Sequence, residues 1–190
     1  MTHPRRKVGT SLNRPGGNAT GIANLASELA PKQLQLLHEV VPKASRFGVL
    51  MDPAFPATPS VIPDLEAAAR NLGLQLLVVN ARTDSDLETA FAIFSQQQVG
   101  AALVGNSTLY TRRTAQLAAL AARHALPAIY PFGEFALAGG LMSYGGTVGY
   151  FYHQAGIYIG RSSKATSRQT YRCSGLQESS LSSTSRPPSP

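Results

Sequence analysis

The feature that most constrains this chain is a regular alternation of short apolar runs with longer segments whose apolar residues fall at helical spacing. The short runs are Arg46–Met51 (RFGVLM), Leu74–Val79 (LQLLVV), Gly100–Val104, Leu126–Tyr130 and Leu141–Tyr144. Pro31–Val41 precedes the first run and places Leu34, Leu37, His38 and Val41 on one helical face, with Pro31 suited to a first turn that needs no N–H there. Pro59–Leu72 carries Ala67, Ala68 and Ala69 and ends at Gly73, as helices often do. Asp84–Gln97 follows, with Asp84 or Ser85 as the expected cap, then the alanine-rich Thr111–His124, the short Phe132–Ala138 and finally Tyr150–Arg161. Strands that are apolar at nearly every position need cover on both faces. Five such strands, each followed by a helix, predict an α/β fold built on a doubly wound parallel sheet.

In sheets of this kind ligands bind beyond the carboxyl ends of the strands. The first strand runs into Asp52–Ser60, a proline-stiffened loop that opens a helix and offers Asp52, Thr58 and Ser60 near its free N–H groups. The third runs into the small, polar stretch Gly105–Thr108, with Asn106 and Ser107. The fourth ends in Tyr130, Pro131, Phe132, Gly133 and Glu134, where aromatic rings could stack on a ligand and Glu134 could receive an ammonium group. Asp52, Thr58, Ser60, Asn106, Ser107, Tyr130 and Glu134 are therefore the candidate ligand-binding residues, acting by hydrogen bonding and stacking. Tyr144, Gly145 and Gly146 end the last strand, and paired glycines suit a bend or hinge.

Catalytic signatures are missing. There is no phosphate loop with its lysine and no Gly-x-Ser-x-Gly. His3, His38, His124 and His153 fall in separate elements, so no catalytic pair and no metal spacing emerges. Asp84, Asp86 and Glu88 open a helix, where dipole compensation accounts for them. Cys173 is the single cysteine, which excludes an internal disulfide. Polar groups at strand ends without a nucleophile and base suggest binding rather than chemistry, and no cofactor or metal is expected.

The net charge of +7 invites a nucleic-acid reading, but its distribution opposes one. Arg5, Arg6, Lys7 and Arg14 stand unopposed at the start, and Lys164, Arg168, Arg172 and Arg186 face only Glu178 at the end. Residues 15–161 hold nine basic and nine acidic residues and are neutral. A nucleic-acid domain would gather the excess on one folded face. In residues 162–190, ten of 29 are serine, so the tail is expected to be disordered for want of apolar surface.

Ser11–Gly21 (SLNRPGGNATG) and Gly133–Gly146 (GEFALAGGLMSYGG) closely resemble segments of the ABC-transporter substrate-binding proteins of the TrpX-like group, which are type I periplasmic binding proteins. Lys32–His38 (KQLQLLH), Ala67–Leu74 (AAARNLGL) and Gln116–Ile129 extend the likeness, which is near-continuous from Ser11 to Arg161. The resemblance implies two α/β lobes joined by hinge strands. A small organic solute such as an amino acid binds between them, and the closed form docks on an ABC permease in the periplasm. It implies that residues 1–20 hold the first crossover, with Asn13, Gly16, Gly17 and Asn18 as hinge residues. Residues 21–147 would be the second lobe, with Tyr144, Gly145 and Gly146 in the second crossover, and residues 148–161 a helix belonging with the first lobe.

Against that family the chain begins late. No first lobe precedes Ser11, and Met1–Thr10 has no apolar stretch or cleavage site of a secretory leader, so the product as given is expected in the cytoplasm with impaired binding. Without a first lobe Tyr150, Phe151, Tyr152, Ile157 and Tyr158 are expected to be partly exposed and to favour self-association. Residues 162–190 depart from the family's continuation in the way a shifted reading frame would produce. Two alternatives remain open: a flavodoxin-like α/β enzyme domain, weakened by the missing phosphate loop, and the effector-binding domain of a transcription regulator, weakened by the lack of a preceding helix-turn-helix.

Overall fold

The computed structural model describes residues 22–24, 26–164, 174–176 and 180–183. Its elements run β1 (Ile22–Asn24), α1 (Ala26–Val40), β2 (Arg46–Met51), α2 (Thr58–Leu72), β3 (Gln75–Asn80), α3 (Asp84–Gln96) and β4 (Ala101–Val104). They continue α4 (Thr108–Arg112), α5 (Thr114–Arg123), β5 (Ala128–Tyr130), α6 (Gly133–Leu137), β6 (Met142–Gly145), α7 (Val148–Lys164), β7 (Ser174–Leu176) and β8 (Ser180–Ser183). The chain divides into two compact units. One holds 26–147 together with β8, and the other holds β1, α7 and β7.

In the larger unit the strand order is β3-β2-β4-β5-β6-β8, with β2 to β6 mutually parallel. The predicted five-stranded parallel sheet is thus present. Side chains of alternate parity line its two faces. Phe47, Val49 and Met51 of β2 join Ala101, Leu103, Ile129 and Met142 in a core with Leu34 and Leu37 of α1 and Val61, Leu65 and Ala69 of α2. Gly48 points to the opposite face, where a Cβ would lie 2.7 Å from the ring of Phe94 in α3. Phe91, Phe94, Leu117 and Leu120 are buried on α3 and α5.

Helix boundaries follow local chemistry. α2 ends at Gly73, whose φ of 70° is a left-handed cap and whose N–H reaches the carbonyls of Ala69 and Arg70. α1 begins at Ala26, five residues before the expected start, and carries Pro31 within it. Burial of Ala30, Gln33 and Leu34 holds that first part of the helix to the sheet despite the hydrogen bond that Pro31 forgoes. The expected helix over 111–124 is two: α4 ends at Arg112, and α5 restarts at Thr114.

The cap of α3 is Thr83, not Asp84 or Ser85. Its hydroxyl accepts from the Asp86 N–H, and the Asp86 carboxylate accepts from the Thr83 N–H, closing a capping box. Backbone hydrogen bonds from Arg82 and Thr83 hold the Asp86 carboxyl below its ordinary range, and the Arg113 guanidinium does the same for Asp84, 2.8 Å away. Depressed folded-state values mean that these contacts stabilise above pH ~4 and are lost as pH falls. Thr83→Ala should lower unfolding stability by about 1 kcal/mol. An unchanged urea midpoint would show that the box contributes nothing.

Two stretches of the serine-rich tail, Ser174–Leu176 and Ser180–Ser183, are strands. β8 lies antiparallel on β6, pairing Tyr144 with Leu181 and Gly145 with Ser180. The other stretch, β7, pairs in parallel with β1 in the smaller unit. Ladder hydrogen bonds come from the backbone, so a strand at an edge needs little apolar side-chain surface. In α7, Tyr152, Ile157 and Ile159 are exposed, while Tyr150 and Phe151 are half-buried and meet edge to face.

Candidate functional site

Strand order changes direction between β2 and β4, the place where open α/β sheets bind ligands. The residues after these two strands meet there. Gly105 follows β4, donates to the Leu50 carbonyl at 2.8 Å, and could carry no Cβ, since one would lie 2.5 Å from the Met51 sulfur. This close tuck brings Ser107 beside Asp52, with the Ser107 hydroxyl donating to the Asp52 carboxylate at 2.6 Å. The other Asp52 carboxylate oxygen accepts from the Ala54 N–H at 2.9 Å, an Asx turn. The Thr58 hydroxyl donates to the Asp52 carbonyl at 2.6 Å and fastens the loop to the start of α2.

Asp52, Thr58 and Ser107, picked separately as strand-end residues, are therefore one network. Within it Thr58 and Ser107 are buried, at 5% and 1% exposure. The Ser107 oxygen also accepts from the Leu109 N–H and caps α4. These two hydroxyls brace the loops at the switch point. Asp52 is half-buried, as is Asn106, whose side chain makes no hydrogen bond among the described residues. Ser60 is exposed and donates to the Ala57 carbonyl at 2.8 Å. No side chain caps α2.

Tyr130 is corrected. It was expected to stack on a ligand, but it is fully buried. Its ring lies on Phe135 with centroids 4.7 Å apart, and its hydroxyl makes a long contact of 3.4 Å to the Leu117 carbonyl. Burial pushes its phenol upward, so it stays protonated. Tyr130 is core. Glu134 sits in the first turn of α6, half-buried, with Phe132 buried before it.

Sequence reasoning missed two residues. Tyr110 is buried beneath the switch point and donates to the Ala81 carbonyl at 2.9 Å, tying α4 to the end of β3. Gln33, 4% exposed, donates to the Tyr144 carbonyl at 2.7 Å. Of the hinge residues, Asn13, Gly16, Gly17 and Asn18 lie outside the described residues. The histidines stand apart: His38 meets Phe47 edge to face, and His124 bonds Ser95 at 2.7 Å. Among the described residues, no cluster could hold a metal ion and no helix is long and apolar enough to cross a membrane.

Comparison with known proteins gives this geometry its context. A conserved domain protein from Vibrio cholerae matches with a TM-score of 0.81 at 18% identity, covering 93% of this chain and 59% of that one. An ABC domain in complex with L-Trp from Streptococcus pneumonia matches with a TM-score of 0.77 at 16% identity, covering 92% of this chain and 59% of that one. A probable maltose operon transcriptional repressor from Staphylococcus matches more loosely, with a TM-score of 0.63 at 10% identity, covering 86% of this chain and 60% of that one. At such identities these likenesses establish the fold, the type I periplasmic binding fold. This chain spans somewhat more than half the length of those proteins. A search of curated sequences gives no match. The family model for ABC transporter substrate binding proteins matches residues 6–165, most of the chain, and so the chain belongs to that family.

Proposed function

We propose that the chain is a solute-binding component of an ABC importer and not an enzyme. It takes a small organic solute, such as an amino acid, over the strand ends of its larger unit and delivers it to a permease in the periplasm. The family match over residues 6–165 carries this reading. The switch-point geometry supports it: Thr58, Ser107 and Asp52 form a braced network, and beside it Asn106, Ser60 and the uncapped start of α2 supply polar groups, with Glu134 following the neighbouring strand β5. A preorganised wall of this kind limits the ordering that binding requires. Asn106 can both donate and accept, which suits a zwitterion. The exposed Tyr152, Ile157 and Ile159 of α7 support self-association of the chain at high concentration.

Calorimetric titration with a panel of amino acids tests the reading. We expect saturable binding of one chemical class and an affinity about tenfold weaker in Asn106→Ala, the size of one lost polar contact. Equal affinity in the variant would remove Asn106 from the site. A sequence-specific DNA shift by the purified chain would favour the repressor-like alternative.

A further inference from the structure

Besides its ladder with β8, the end of β6 is fastened at two further points. From α1, the buried Gln33 side chain donates to the Tyr144 carbonyl at 2.7 Å across 111 residues of sequence. A buried amide must be paired, and this contact pairs its donor. Next to it Gly145 lies so close to the loop after β5 that a Cβ would be 2.1 Å from the Pro131 carbonyl oxygen. One residue on, the Gly146 carbonyl accepts from the Gly133 N–H at 3.3 Å. These contacts all lie within the larger unit, and the boundary between the two units falls between Thr147 and Val148.

We infer that Gln33 is a positioning residue that fastens the end of β6 to its lobe, so that Tyr144, Gly145 and Gly146 move with the lobe and any bending falls at or after Thr147. Gly145 is thus held by this close approach to the Pro131 carbonyl and is not a loose pivot. The consequence for solute-driven closure rests on the proposed function, whereas the fastening itself does not. In a binding protein that closes, a crossover held up to Gly146 fixes where the pivot lies, and with it the arc along which the strand-end residues move.

Amide hydrogen exchange on the whole chain tests this without any solute, so it can fail while the binding proposal stands, and the reverse. Gln33→Met keeps the length and apolar stem of the side chain but removes the donor. Exchange across residues 143–147 should speed up about fivefold to tenfold, with amides of β2 changing by less than about twofold. Unchanged exchange at 143–147 would overturn the inference. A rise of equal size in β2 would overturn it as well, because Gln33 would then be acting on the whole fold. Should Gln33→Met not fold, Gln33→Asn, one methylene too short to reach Tyr144, provides the same comparison with the same deciding outcomes.

Discussion

Tyr130→Ala is expected to lower the unfolding stability of the chain by about 4 kcal/mol, among the largest single losses available to it. The side chain is fully buried, its ring is stacked on Phe135, and Gly140, packed so close that a Cβ there would lie 2.8 Å from the ring, has no side chain with which to fill the gap. Truncation therefore opens a cavity that the neighbours cannot collapse into. Tyr130→Phe separates the ring from its hydroxyl. With the hydroxyl contact at 3.4 Å, that variant should lose less than about 1 kcal/mol. Urea denaturation of the two variants checks both values. Were Tyr130 a ligand-stacking residue at the surface, its truncation would shift stability by about 0.5 kcal/mol or less.

Gly145→Ala should be nearly as damaging, by about 3 kcal/mol or more. The φ of Gly145 is 152°, which side chains rarely adopt, and the added Cβ would sit 2.1 Å from a backbone carbonyl that cannot swing aside. Either β6 or the loop carrying Pro131 must move. Both hold the end of the sheet beside the candidate site, so the damage should reach solute binding too. Gly149→Ala is the control. Nothing lies within 4 Å of its Cβ position, and it falls inside α7, where alanine is favoured. Thermal unfolding should show a large downward shift for Gly145→Ala and none for Gly149→Ala. Equal behaviour would mean that Gly145 is not under the constraint described.

Much of the fold was legible because a parallel sheet covered on both faces leaves a plain mark. Runs such as RFGVLM contain no polar interruption, and helices must fill the intervals. That same double cover hides which way a side chain points. In a sheet with one wet face, alternation would separate Ile129 from Tyr130. Here both parities are buried, Ile129 in the core shared with α1 and Tyr130 against Phe135, so nothing in the sequence marked Tyr130 as core. The strand-end rule found Asp52, Thr58 and Ser107 but not that they bond to one another, because the sequence separation of 55 between Asp52 and Ser107 is closed only by the fold. One signal was available: Asp52-Pro53-Ala54 is a sequence suited to an Asx turn, which commits one carboxylate oxygen to the backbone. The cap of α3 was misplaced by one or two residues, a common slip where Thr83, Asp84, Ser85 and Asp86 could all cap. Gln33 gave no signal at all. A glutamine on a helix reads as solvent-facing until its partner 111 residues away is known.

The most direct test of the account is residue-resolved NMR of the isotope-labelled chain titrated with single amino acids to millimolar concentration, which detects even weak binding. One chemical class should shift the amides around Asp52–Ser60, Asn106–Thr108 and Phe132–Glu134, leaving the opposite ends of the strands still. Shifts confined to those opposite ends, or a folded chain that responds to no solute in the panel, would contradict it.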